Sequence, residues 1–213
     1  MTLKRRKPRE ERRSGTRQAL LDAALKLVAD NHSFGSLSLR EVTREVGIVP
    51  AGFYRHFRDM DELGLELVDE SFRNLRELLR TARAAPFPDE RIVRQSVDVF
   101  LTAARGNRLY FEFIGRERFG GTSLIRSAIQ KEIRLIVSEL ATDLGRFAPP
   151  GRWTTEDLQM LAGLMVNAMV AMIEQFLDAG ARPNIEAEIR RVAEKQLRLI
   201  VLGAMQWKSS PGT

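Results

Sequence analysis

Cysteine is absent from the 213 residues, which excludes disulfides, thiolate metal sites and cysteine nucleophiles. Histidine is nearly absent too, with His32 and His56 alone. Neither sits in an H-E-x-x-H pattern, and the chain also lacks G-x-S-x-G and a glycine-rich phosphate loop. No catalytic constellation is visible, so no enzyme, cofactor or metal is expected. Long hydrophobic runs are missing: no stretch of eighteen or more residues is uniformly apolar, and no apolar core follows the basic N-terminus as it would in a secretory signal. A soluble cytoplasmic protein without membrane insertion is the expectation. Strands are lacking as well, since no segment alternates apolar and polar residues over a strand's length.

An apolar fraction of 44% is enough to build a real core. The net charge of +6 is distributed unevenly. Residues 1–58 carry 13 Lys/Arg against 6 Asp/Glu, whereas residues 59–213 carry 21 against 22. Only the first quarter is suited to a polyanion such as DNA.

Apolar spacing predicts an all-α protein of about nine helices. The first runs from Thr16 to Asn31, with Leu20, Ala24, Leu27 and Val28 on one face. Ser38 and Glu41 form an S-x-x-E capping box that opens a short second helix, Gly47 breaks it, and Pro50 begins an equally short third ending near His56. Longer helices follow at about 59–84, 89–105, 107–118, 122–147, 155–179 and 185–207, separated by glycine and proline breaks. Four segments result: a basic flexible arm at 1–15, a helix-turn-helix at 16–58, a ligand-binding and dimerisation region at 59–207, and a tail at 208–213.

A capped short helix, a glycine turn and a second short helix form a unit whose second member can enter the DNA major groove. That pattern alone is common among helical proteins. The stretch SLREVTREVGIVPAGFYRHFRDMDEL at 38–63 goes further and resembles the TetR-family signature. Matching positions are Ser38, Arg40, Gly47, Ile48, Phe53, Tyr54, His56, Phe57, Glu62 and Leu63. The resemblance implies a homodimeric regulator that binds double-stranded operator DNA. It departs from the pattern at Met60, where many members carry a phosphate-holding residue, and at Ala51-Gly52, where a Gly-Thr or Gly-Ser pair is usual. Within the family, the strings at 33–48, 53–71 and 116–133 look most like the fatty-acid-desaturation regulators of the FabR and DesT group. That likeness implies a long-chain acyl-CoA effector and control of unsaturated fatty acid genes. Another apolar effector, a drug or metabolite, is the alternative.

Physical reasoning assigns roles to individual positions. Tyr54 and His56 can donate to phosphate oxygens and fix register, while Val49, Pro50, Ala51, Gly52 and Arg55, with Ser38 and Arg40 from the preceding helix, face the bases or backbone. Phe53 and Phe57 belong to the core. The arm KRRKPREERR at 4–13 can follow the minor groove or backbone. For the effector, Phe100, Leu101, Tyr110, Phe111, Phe113 and Ile114 supply one apolar wall and Leu164, Met165, Met169 and Met172 another. Arg116, Arg118 and Arg126 are candidates for coenzyme A phosphates. Each of these side chains has a plainer reading as core filler or solvated surface.

Overall fold

The computed structural model describes residues 9–30, 33–82, 90–147, 152–180 and 182–209. Among them the only regular structure is helical: α1 (Arg9–Ala29), a 3-10 turn (Phe34–Ser36), α2 (Leu39–Val46), α3 (Pro50–Phe53), α4 (Met60–Ala82), α5 (Glu90–Gly106), α6 (Arg108–Gly120), α7 (Ser123–Phe147), α8 (Thr155–Ala179) and α9 (Pro183–Gln206). The protein is all-α, as the spacing predicts. His32, Asn31, Pro86, Pro88 and the Ala148–Gly151 break lie outside the described residues.

Three boundaries differ from expectation. Helix α1 begins at Arg9, so the second half of the expected flexible arm is helix. Its charged residues show no apolar periodicity, but nothing in them breaks a helix and α1 simply continues through them. Helix α3 stops at Phe53 rather than near His56: Arg55 and His56 bond back three residues, to the Gly52 and Phe53 carbonyls at 3.3 and 2.8 Å, tightening the chain into a turn. Finally, Ser209, expected in the tail, accepts the Thr154 amide at 2.8 Å and donates to Asp157.

The described chain divides into two compact units. The first comprises residues up to Ser71 together with Glu112–Ile129. Its core gathers Leu20, Leu25 and Val28 of α1, Phe34, Val42, Phe53, Phe57 and Leu63 around Phe113 and Ile125, all almost fully buried. The second comprises Phe72–Phe111 and the residues from Gln130 onward. There α8 and α9 pair along their lengths and α5 packs against both, burying Val97, Ala104, Met165, Met172, Phe176 and Leu197. Arg105 pairs with Glu186 at 2.6 Å and Arg108 donates to the Leu177 carbonyl at 2.8 Å, tying α5 and α6 to the ends of α9 and α8. By length and composition α8 is apolar enough to cross a bilayer. Nine of its residues are buried within the second unit, which accounts for that character.

Candidate nucleic-acid interface and effector region

The helix-turn-helix forms as its sequence dictates. The Ser38 hydroxyl accepts the Glu41 amide at 3.3 Å, and the Glu41 carboxylate in turn accepts the Ser38 amide at 2.8 Å and its hydroxyl at 2.7 Å. Both hydrogen-bonding roles of that hydroxyl are thus occupied by the cap. Gly47 closes α2 in the left-handed region, φ 75°, where a side chain would be strained. Pro50 opens α3, its missing N–H costing nothing at that position.

Five residues of the recognition segment form its outer surface. Val49 is 70% and Tyr54 63% exposed, and Pro50, Ala51 and Arg55 are exposed beside them. Val49 and Tyr54 thus give the segment an exposed apolar and aromatic face. Gly52 is half-buried, with its α-carbon turned toward Ile48. Phe53 and Phe57 are buried 5.6 Å apart and hold the segment from beneath, with the Tyr54 ring edge-on to Phe53. Arg40 is exposed on α2 and Met60 is half-buried at the start of α4.

The cationic surround of this surface comes largely from α1. Arg13 donates to the Arg55 carbonyl at 3.3 Å. Arg17 stacks its guanidinium 4.7 Å over the Phe57 ring and pairs with Glu66 at 2.9 Å. Burial, reinforced by the charges of Arg13, Arg17 and Arg55, holds the His56 imidazole below its ordinary pKa, and its Nδ1 is buried without a hydrogen-bond partner among the described residues. A phosphate beside the half-buried ring would supply a compensating charge. Sequence reasoning gave Arg13 to the basic arm and missed Arg17, which lies within the expected first helix; the early start of α1 places Arg13 on that same helix, beside the recognition segment.

The effector candidates are divided between the two units. Phe111, Met165 and Met169 are buried in the second unit's core, Leu101 and Met172 with them, and Phe100 packs against that core half-buried. Tyr110 is half-buried and Leu164 is 51% exposed. Phe113, by contrast, is fully buried in the first unit, where its ring meets Phe34 edge-on at 6.0 Å. Ile114, Arg116, Arg118 and Arg126 belong to that unit too. Arg116 donates to the Val28 carbonyl at 2.8 Å and Arg126 to the Gly121 carbonyl at 2.5 Å, so both guanidiniums have backbone partners. The Arg118 guanidinium lies 4.4 Å over the exposed Phe119 ring. A concavity of about 330 Å³ opens between α8 and α9, lined by Trp153, Met160, Leu164, Ile200 and Trp207 among others. Of the predicted apolar walls only Leu164 reaches it.

Comparison with known proteins places this geometry. Residues 20–67 match the model of the bacterial regulatory proteins of the tetR family. Residues 88–203 match the tetracyclin repressor-like C-terminal domain. The fold is similar to that of the fatty acid degradation regulator FadR from Bacillus halodurans, at TM-score 0.68 and 12% identity, covering 91% of this chain and 97% of that one. It is equally similar to a TetR-like transcriptional regulator from Rhodococcus sp. RHA1, at TM-score 0.68 and 18% identity over 93% and 100% of the two chains. A candidate fatty acid metabolism regulator from Clostridium perfringens gives TM-score 0.65 and 13% identity over 84% and 97%. With both its helix-turn-helix and most of its remaining length matched, the chain belongs to the TetR family of bacterial transcription regulators.

Proposed function

We propose that this regulator is a homodimeric repressor that reads near-palindromic operator DNA through residues 49–56 and releases it in response to a long-chain acyl-CoA, so controlling genes of unsaturated fatty acid synthesis. The observation that carries the DNA half is the recognition surface itself: exposed Val49, Pro50, Ala51, Tyr54 and Arg55, ringed by arginines, with the unpartnered Nδ1 of His56 beneath. Tyr54 and His56 hold phosphates, and the small side chains with Arg55 approach base edges.

Dimerisation is supported by the apolar surface of the paired C-terminal helices, where Leu199 is 72%, Leu164 51% and Leu202 50% exposed. A two-fold dimer presents two recognition segments about 34 Å apart, one helical turn of DNA. The acyl effector is supported by the methionine- and phenylalanine-rich core of the second unit, whose side chains can repack around a flexible hydrocarbon, and by fold similarity to a regulator named for fatty acid degradation. Effector binding shifts the balance between DNA-competent and DNA-incompetent states by its differential affinity for the two.

One observation favours the second reading, another apolar effector such as a drug or metabolite. Arg116 and Arg126, the expected phosphate holders, already bond backbone carbonyls. The two readings separate by titrating the DNA complex with oleoyl-CoA, palmitoyl-CoA and the free fatty acids. Release by a thioester at lower concentration than by its free acid supports the acyl-CoA reading. Indifference to all four supports the other.

A further inference from the structure

Glu117 is a charged residue of α6 with only 1% of its surface exposed. Its Oε1 accepts the Phe34 amide at 2.9 Å, a bond between residues 83 apart in sequence. Its Oε2 is buried with no hydrogen-bond partner among the described residues. Gly121 makes room for the group: its amide bonds the Glu117 carbonyl at 3.1 Å, and a Cβ on Gly121 would lie 2.7 Å from Oε2. Nearby contacts reach the same stretch of chain. Phe113 meets Phe34 edge-on, Arg116 bonds the last turn of α1 at Val28, and the bare α-carbon of Gly64 lies against the Phe34 ring.

As a source of stability this carboxylate is a poor choice. A buried charge with one donor and one orphaned oxygen carries a desolvation cost that an apolar side chain of similar size avoids. What it provides is direction, since its hydrogen bond fixes one backbone amide in place. That amide opens the 3-10 turn. The Leu37 amide bonds the Phe34 carbonyl at 3.1 Å, and Ser38 then caps α2. From Glu117 to the cap of α2 the path of bonded groups is therefore short.

We infer that Glu117 is a positioning residue for operator binding: from α6, its carboxylate holds the Phe34 amide and thereby fixes the entry to the helix-turn-helix. The inference rests on the operator reading above. Arg116 and Phe113 act alongside it, holding the end of α1 and the Phe34 ring.

Two substitutions in the full-length chain test it, Glu117→Leu and Glu117→Gln, with thermal unfolding, amide hydrogen exchange at Phe34, and affinity for operator and random duplexes as readouts. The leucine variant sheds the buried carboxylate but leaves the Phe34 amide without its acceptor, so its unfolding temperature is expected to stay near that of the wild type. Its Phe34 amide exchanges about tenfold faster or more, and operator affinity falls by about tenfold or more. Its affinity for random DNA stays within about threefold, since the phosphate-contacting side chains are intact. The glutamine variant keeps an acceptor and brings operator affinity back to within about threefold of wild type. Wild-type operator affinity in the leucine variant overturns the proposal. So does a parallel fall of operator affinity and unfolding temperature that glutamine does not rescue. If the wild-type protein shows no operator preference, the operator reading fails, whereas unchanged Phe34 exchange in the leucine variant defeats the tie on its own.

Discussion

His56 joins packing to electrostatics at a single side chain. Desolvation and the nearby Arg13, Arg17 and Arg55 lower the pKa of its imidazole in the free protein. Because the folded state disfavours the proton, the stability His56 contributes is present above the ordinary imidazole pKa and declines as pH falls below it. Operator binding runs the other way. A phosphate beside the ring raises its pKa again, so DNA binding takes up a proton and strengthens as pH falls from 8 to 6, by at most about tenfold per pH unit. His56→Gln should flatten both slopes, measured by thermal unfolding without DNA and by anisotropy with it. An unchanged pH dependence of operator affinity in that variant removes His56 from the interface. A second prediction concerns packing alone. At Gly64 an added Cβ would lie 2.5 Å from the Phe34 ring and 2.7 Å from Ile125, both buried. Gly64→Ala is therefore expected to destabilise by about 1–3 kcal/mol in urea unfolding.

Helix α1 and the cap of α2 carry the predictions that belong to whole elements. Since α1 reaches Arg9 and its Arg13 bonds the Arg55 carbonyl, the N-terminal segment acts as a helical extension beside the recognition segment. Deleting residues 1–13 should weaken binding to operator and random DNA alike and reduce the dependence on salt; an unchanged salt slope would show that the segment touches no phosphate. Ser38→Ala removes the acceptor for the Glu41 amide and should cost about 1 kcal/mol in unfolding experiments.

Most element boundaries were legible in the sequence because glycine, proline and the S-x-x-E box have local causes: Gly47 needs its positive φ and Ser38 its amide partner. The exposed residues of the recognition segment were legible for the same reason, being contiguous in a short motif. The start of α1 was not, because a run of arginines and glutamates has no apolar face to betray a helix. Nor were the roles of Phe113, Arg116 and Glu117, whose partners Phe34 and Val28 lie some eighty residues away. Periodicity reports which face of a helix is buried and is silent about what buries it.

For the molecule as a whole, the basic first quarter holds most of the helix-turn-helix match and the near-neutral remainder the C-terminal domain match. The two compact units do not divide at residue 58: α6 and α7 each give their adjoining ends, Glu112–Ile129, to the unit that contains the helix-turn-helix. Exposed Leu199 and Leu202 on α9 lead to a prediction at this scale. The wild-type protein should sediment as a dimer at micromolar concentration. A Leu199→Asp, Leu202→Asp double variant should be monomeric and lose operator affinity disproportionately, because only a dimer engages both half-sites at once.

The most direct test of the account is fluorescence anisotropy of the purified protein on a palindrome taken from beside its own gene, with random DNA as control and with oleoyl-CoA and palmitoyl-CoA added in turn. The account predicts operator binding at least about a thousandfold tighter than to random DNA, shifted by both thioesters and to different extents. Equal affinity for operator and random DNA would contradict it.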